Sequence, residues 1–185
     1  MFNHEQPDVA SFRSDYAKGA DFCEAFERDM KPFYLLTFLL TTNHKDTERC
    51  LEAVIEETFK ENGVFKAWVR PWVKRCLIRK AIQIVFSRPS GNNEPQNLWW
   101  EELGESQLRN VIEAVIDLDT RERFAYVMSI LEGYSAKDCS LLLDCTMESV
   151  VRLRVQASCR LAASDPFHTG TFQDCSVAGS QRNPD

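Results

Sequence analysis

The segment Ser135-Ala-Lys-Asp-Cys-Ser-Leu-Leu-Leu-Asp-Cys-Thr-Met-Glu-Ser-Val-Val-Arg-Leu-Arg-Val-Gln-Ala-Ser-Cys-Arg-Leu161 sets the architecture of the chain. It reads as a short helix (135–143), a turn at Asp144-Cys145, and a longer helix (146–161) with Thr146 as its N-cap. Two short helices around a tight turn form the helix-turn-helix outline. In the second helix Met147, Val150, Leu153, Ala157 and Leu161 recur at spacings of three and four, which predicts one inward face. Glu148, Ser149, Arg152, Gln156 and Arg160 lie on the opposite side. Short polar residues followed by Arg and Gln suit a helix that enters a major groove. The same pattern is also the ordinary wet face of a packed helix, and periodicity alone leaves both open.

Moving upstream, the block is completed by two further amphipathic patterns. Leu108, Val111, Ile112, Val115, Ile116 and Leu118 predict one helix; Phe124, Val127, Met128 and Leu131 predict the inside of another, ended by Glu132-Gly133-Tyr134. Before it, Ser87 to Asn97 is rich in Ser, Pro, Gly and Asn and reads as a linker. A first block of four helical patterns precedes that. Phe22, Ala25, Phe26, Met30 and Phe33 share a face, with Asp21 as the expected cap and Pro32 as an end or kink. Phe33–Leu40 is apolar nearly all round, which predicts a helix buried on several sides. Leu51, Val54, Ile55, Thr58 and Phe59 mark the next inward face, capped by Asp46 or Thr47 and stopped at Asn62-Gly63. Trp68, Trp72, Val73, Cys76, Leu77, Ala81 and Ile82 mark the last, with Pro71 forcing a kink or a late start near Arg70. The expected organisation is a polar leader (1–19), a helical domain (20–86), a flexible linker (87–104), a helix-turn-helix domain (105–163) and a disordered tail (164–185). Trp99-Trp100 in so short a linker would let the two blocks pack together.

Composition agrees with an all-α chain, since seven glycines and seven prolines in 185 residues are few for a turn-rich β fold. The net charge of −6 excludes a nucleic-acid binder on bulk charge alone, so DNA contact would have to come from local patches. Seven cysteines without a CxxC pair predict reduced thiols in a cytoplasm and not a disulfide framework. The polar N-terminus predicts no signal peptide, and Phe33–Leu40 is too short for membrane insertion. His4, His44 and His168 stand in polar segments away from cysteines, so no zinc site is expected. No phosphate-binding glycine loop or nucleophile elbow is present, and the carboxylates are scattered. The expectation is a non-enzyme with no cofactor and no metal.

Two charged stripes remain. Lys66, Arg70, Lys74, Arg75, Arg79 and Lys80 form a basic run with no acidic residue, interleaved with Trp68 and Trp72. Cations supply phosphate affinity and aromatic rings stack on unpaired bases; equally, both Trp could be core and the cations a solvated face. The preceding helix is acidic outside, at Glu48, Glu52, Glu56, Glu57 and Glu61, which suits a basic protein surface or plain solvent.

The order of these parts resembles the ECF (extracytoplasmic function) family of bacterial RNA polymerase sigma factors. The resemblance spans 21–163 and is carried by Asp21-Phe22 with Ala25-Phe26, Leu39-Leu40-Thr41, Leu51-Glu52, Glu56-Glu57-Thr58-Phe59 and Phe65-Lys-Ala-Trp68-Val69. It continues in Ala114-Val-Ile-Asp-Leu118, Arg121 and Arg123-Phe124, Leu131-Glu-Gly-Tyr-Ser135, and Ser149-Val150. It implies a specificity subunit that binds core RNA polymerase and promoter DNA, with an anti-sigma factor as a possible further partner. Residue by residue, it implies polymerase docking through Glu52, Ile55, Glu56 and Phe59. It implies minus-ten DNA contact through Lys66, Trp68, Arg70, Trp72, Lys74, Arg75 and Arg79. Minus-thirty-five contact falls to Glu148, Ser149, Arg152, Arg154, Gln156 and Arg160.

The chain also departs from the family. Phe59 and Trp68 are only nine positions apart, Arg75 and Arg79 replace the family's Asn and Asp, and Asp144 replaces the turn Gly. Residues 105–163 carry seven basic against nine acidic side chains, a net of −2. These features favour an alternative, a sigma-like regulator that binds an anti-sigma factor or polymerase without recognising promoters. Exposed cations on one side of the molecule would favour the first expectation. Arg152 and Arg154 tied up by the nearby carboxylates Asp144 and Glu148, or a helix face covered by the first block, would favour the second.

Overall fold

The structure is a computed structural model that describes residues 15–60, 63–87 and 106–164. Among these the chain is all-α, with helices α1 (Gly19–Thr41), α2 (His44–Thr58), α3 (Val69–Phe86), α4 (Ser106–Ile116), α5 (Thr120–Tyr126), α6 (Ala136–Leu143) and α7 (Met147–Ser164). A 3₁₀ turn, Lys66–Trp68, leads into α3, and a π turn, Val127–Leu131, follows α5. The linker expected at 87–104 (Ser87 apart), Glu61 and Asn62, most of the leader and the tail after Ser164 lie outside the described residues.

Local chemistry explains the helix ends. The two segments expected on either side of Pro32 form one helix, α1, kinked at Asp29 (φ −110°, ψ 15°). Pro32 has no N–H to donate and its ring crowds the preceding turn, so the break appears three residues upstream. Asp21 is not the cap of α1: Lys18 is, and the Asp21 carboxylate accepts the Lys18 backbone N–H at 2.7 Å from inside the first turn. Likewise Asn43, and not Asp46 or Thr47, caps α2, its side chain accepting from the Asp46 N–H at 3.2 Å. Helix α3 starts late, at Val69, which leaves Pro71 in the first turn where a missing N–H costs little.

Around the turn between α6 and α7, Ser135 caps α6 through the Asp138 N–H and Thr146 accepts the Ser149 N–H at 3.1 Å. Asp144 turns the chain in the left-handed conformation (φ 49°, ψ 56°), a role that glycine fills without steric cost.

Two apolar clusters hold the helices. Phe22, Ala25, Phe26 and Phe33 of α1 pack with Leu51 and Val54 of α2 and with Val73 and Leu77 of α3. The second cluster joins both halves of the chain. Leu36, Leu39 and Leu40 of α1, Cys50 of α2 and Ile78 and Ala81 of α3 meet Ile112, Val115, Phe124, Met128, Cys139 and Val150. The Phe86 and Phe124 rings lie 5.3 Å apart across this junction. Some expected inward residues are not core: Met30, Val111 and Leu131 are exposed.

Burial also sets thiol chemistry. It pushes the Cys50 thiol up to about 12, and Cys76 and Cys139 to about 11. Cys23 and Cys159 are exposed. In native protein at pH 8, iodoacetamide should modify Cys23 and Cys159 and spare the three buried thiols, as peptide mass mapping would record. A raised folded-state pKa means these thiols contribute stability that is complete below pH 9 and is lost between pH 9 and about 11–12. The urea midpoint should therefore fall over that window.

Candidate protein and nucleic-acid interface

The outer side of α2 presents Glu52, Glu56 and Phe59 at steps of four and three, so they align along one face. Glu52 and Glu56 are exposed and make no ion pair among the described residues. Phe59 was expected inside, but it follows the last turn of the helix and is 72% exposed. Ile55 is half-buried and packs on the first apolar cluster, while Glu57 turns to Lys80 at 3.9 Å. The result is an acidic face with an exposed aromatic ring at its end.

The basic stripe is arranged differently from an open cationic face. Lys66 pairs with Asp21 at 3.5 Å, and Arg70 with Asp29 at 3.2 Å. Lys74 pairs with Glu132, which belongs to the second half of the chain. Arg75 and Arg79 are exposed and form no ion pair among the described residues. Trp72 is half-buried with its ring edge-on to Phe22 at 5.4 Å, whereas Trp68, expected on the apolar side, is 66% exposed. Trp68 sits in the 3₁₀ turn before α3, so the phase of that helix does not reach it.

Short backbone pairing fixes the approach to this turn. The Ala17 N–H donates to the Val64 carbonyl at 2.7 Å and the Lys66 N–H to the Asp15 carbonyl at 2.8 Å. Tyr16 stacks on Phe65 with ring centroids 4.7 Å apart. The stretch from Val64 to Lys66 is thus clamped by the residues just before α1. Phe65, Trp68, Trp72, Arg70 and Arg75 form one wall of a groove of about 790 Å³; Glu132, Gly133, Tyr134 and Asp138 contribute the other. Tyr16, Phe65 and Glu132 were not expected in this site. Their partners are remote in sequence, so no local pattern pointed to them.

On α7, Val150 and Ala157 are buried as expected and Leu153 and Leu161 are half-buried. Met147, expected inward, is exposed together with Val151 and Val155. Glu148, Arg152 and Gln156 are exposed, Ser149 is engaged by the Thr146 cap, and Arg154 is half-buried near Cys139. Arg160 is held by Asp119 at 2.9 Å and Glu122 at 3.1 Å. Neither Asp144 nor Glu148 pairs with Arg152 or Arg154. Of the expected DNA-contacting cations, Lys66, Arg70, Lys74 and Arg160 are therefore engaged by the chain's own carboxylates, while Arg75, Arg79 and Arg152 point to solvent. No helix among the described residues is long and apolar enough to cross a membrane.

No family model and no curated protein matches the chain. Among solved structures, it is similar to the sigma factor RpoE of Bartonella quintana, seen in a co-crystal structure with the anti-sigma factor NepR. The TM-score is 0.47 at 16% sequence identity, covering 78% of this chain and 96% of that one.

Proposed function

We propose that the chain is a sigma-type subunit of bacterial RNA polymerase that docks on the core enzyme through the outer face of α2. The observation that carries this is the alignment of unpaired Glu52 and Glu56 with the exposed Phe59 ring. A carboxylate row steers and orients a basic partner, and a desolvated aromatic ring supplies contact energy. The resemblance in sequence supports the same face for polymerase, and Arg75, Arg79, Arg152 and Gln156 for promoter DNA. The helical units at 20–86 and 105–163 divide the work, the first holding polymerase and the minus-ten element and the second the helix-turn-helix. The protein acts in the cytoplasm and carries no active site of its own.

A second reading, a sigma-like regulator that binds polymerase or an anti-sigma factor without reading promoters, is favoured by the four ion-paired cations. Each must break an existing pair before it meets a phosphate, which lowers the counterion-release gain on binding.

Pull-down with core polymerase and run-off transcription separate these readings. Wild-type protein should bind, and Glu52→Lys/Glu56→Lys should weaken binding about tenfold by reversing charge at the face. Binding with transcription supports the promoter-reading subunit. Binding without transcription supports the regulator. Absence of binding, or indifference to the charge reversal, overturns docking through α2.

A further inference from the structure

Met147, Val151 and Val155 stand at successive four-residue steps on α7 and are 55%, 41% and 52% exposed. They lie outside the cluster to which Val150 belongs, so α7 carries a second apolar stripe that belongs to neither core cluster among the described residues. Along one edge of that stripe run Glu148 and Arg152. Both are exposed and they have the spacing of a helical ion pair, yet neither pairs with a described residue.

The stripe is its own complement. At 100° per residue, Glu148 and Arg152 both lie on the same side of Val151. A twofold axis through the seam at Val151, perpendicular to the helix, reverses chain direction but keeps that side in place. Val151 then meets the second copy's Val151, and Met147 meets the second copy's Val155. Glu148 falls within about 3 Å, along the helix axis, of the level of the second copy's Arg152. By symmetry that charge contact is made twice.

We propose that α7 is the seam of a homodimer, two copies packed antiparallel through Met147, Val151 and Val155 with Glu148 and Arg152 paired across the edge. The seam is small, so assembly is weak and set by concentration. Pairing covers the outward face of the helix-turn-helix, so a dimer and a monomer laid in a DNA groove exclude each other. The seam itself does not rest on promoter recognition, and its test contains neither DNA nor polymerase.

The test is sedimentation velocity of the full chain between about 1 and 300 µM, a range that spans weak association. The weight-average mass should climb from 21.3 kDa toward twice that value. Val151→Glu places two carboxylates across the twofold axis and should raise the dissociation constant at least about tenfold, with the helical circular-dichroism signal unchanged. Glu148→Arg alone should weaken assembly, and Glu148→Arg/Arg152→Glu should restore it. A constant single-chain mass, a dimer indifferent to Val151→Glu, or a double swap that fails to restore assembly would each overturn the proposal.

Discussion

Phe124→Ala lowers the stability of the whole chain by about 3–5 kcal/mol and leaves a single unfolding transition. The ring is fully buried and touches both halves of the molecule, with Phe86 of α3 on one side and the Val127, Met128 and Val150 region on the other. Arg121 lies over the Phe86 ring, 5.9 Å from its centroid, at the solvent-facing rim of the junction. Removing the ring empties a cavity that neither half can collapse to fill, because its lining comes from helices far apart in sequence. Urea denaturation followed by far-ultraviolet circular dichroism and by tryptophan fluorescence checks both parts. In a Trp99→Phe/Trp100→Phe background the fluorescence comes from Trp68 and Trp72, which stand before or within α3, whereas the mutated ring is in α5. A fluorescence midpoint that moves with the dichroism midpoint means that the halves unfold together. A fluorescence curve left in place while the dichroism splits would mean two independent units, as the linker composition suggests.

The all-α class was legible because its signals are local. Thr146 as a cap, the Asp144-Cys145 turn and the three-four spacing around Val150 and Ala157 placed α6 and α7 within a few residues. Caps with competing polar neighbours were misread: Asn43, Asp46 and Thr47 offer the same chemistry within five positions, and geometry alone selects Asn43. Exposure at stripe edges was also misread, for Phe59, Trp68 and Met147 alike. Periodicity gives the phase of a helix but not where it stops, and Phe59 and Trp68 fall just beyond an end. Least legible was the fate of the cations. Lys74 and Glu132 are brought together only by the tertiary fold, so a run that reads as an open basic face is largely neutralised in place. The second stripe on α7 had a signal that was available: Val151 and Val155 sit among residues assigned to the wet side.

Arg123→Met costs about 2–4 kcal/mol. Arg123 is buried. Its guanidinium donates to the Ile116 carbonyl at 3.1 Å and the Leu118 carbonyl at 2.9 Å, and so satisfies acceptors at and just beyond the end of α4. The other terminal nitrogen, Nη2, reaches the Leu40 carbonyl of α1 at 3.4 Å, a tie across the two halves. Burial holds the guanidinium down at about 10, with Asp119 opposing that shift. A cation kept charged at neutral pH against such a shift contributes through its hydrogen bonds and not through burial. Methionine matches the length of the side chain but donates nothing, so it strands three carbonyls while recovering the desolvation cost of the charge. Arg123→Lys keeps the charge but loses the planar fork and should fall between the two. Urea midpoints for the three proteins, with hydrogen exchange over α4, provide the check. A methionine variant as stable as wild type would mean that the buried charge cancels its own bonds, and that the apolar cluster alone joins the halves.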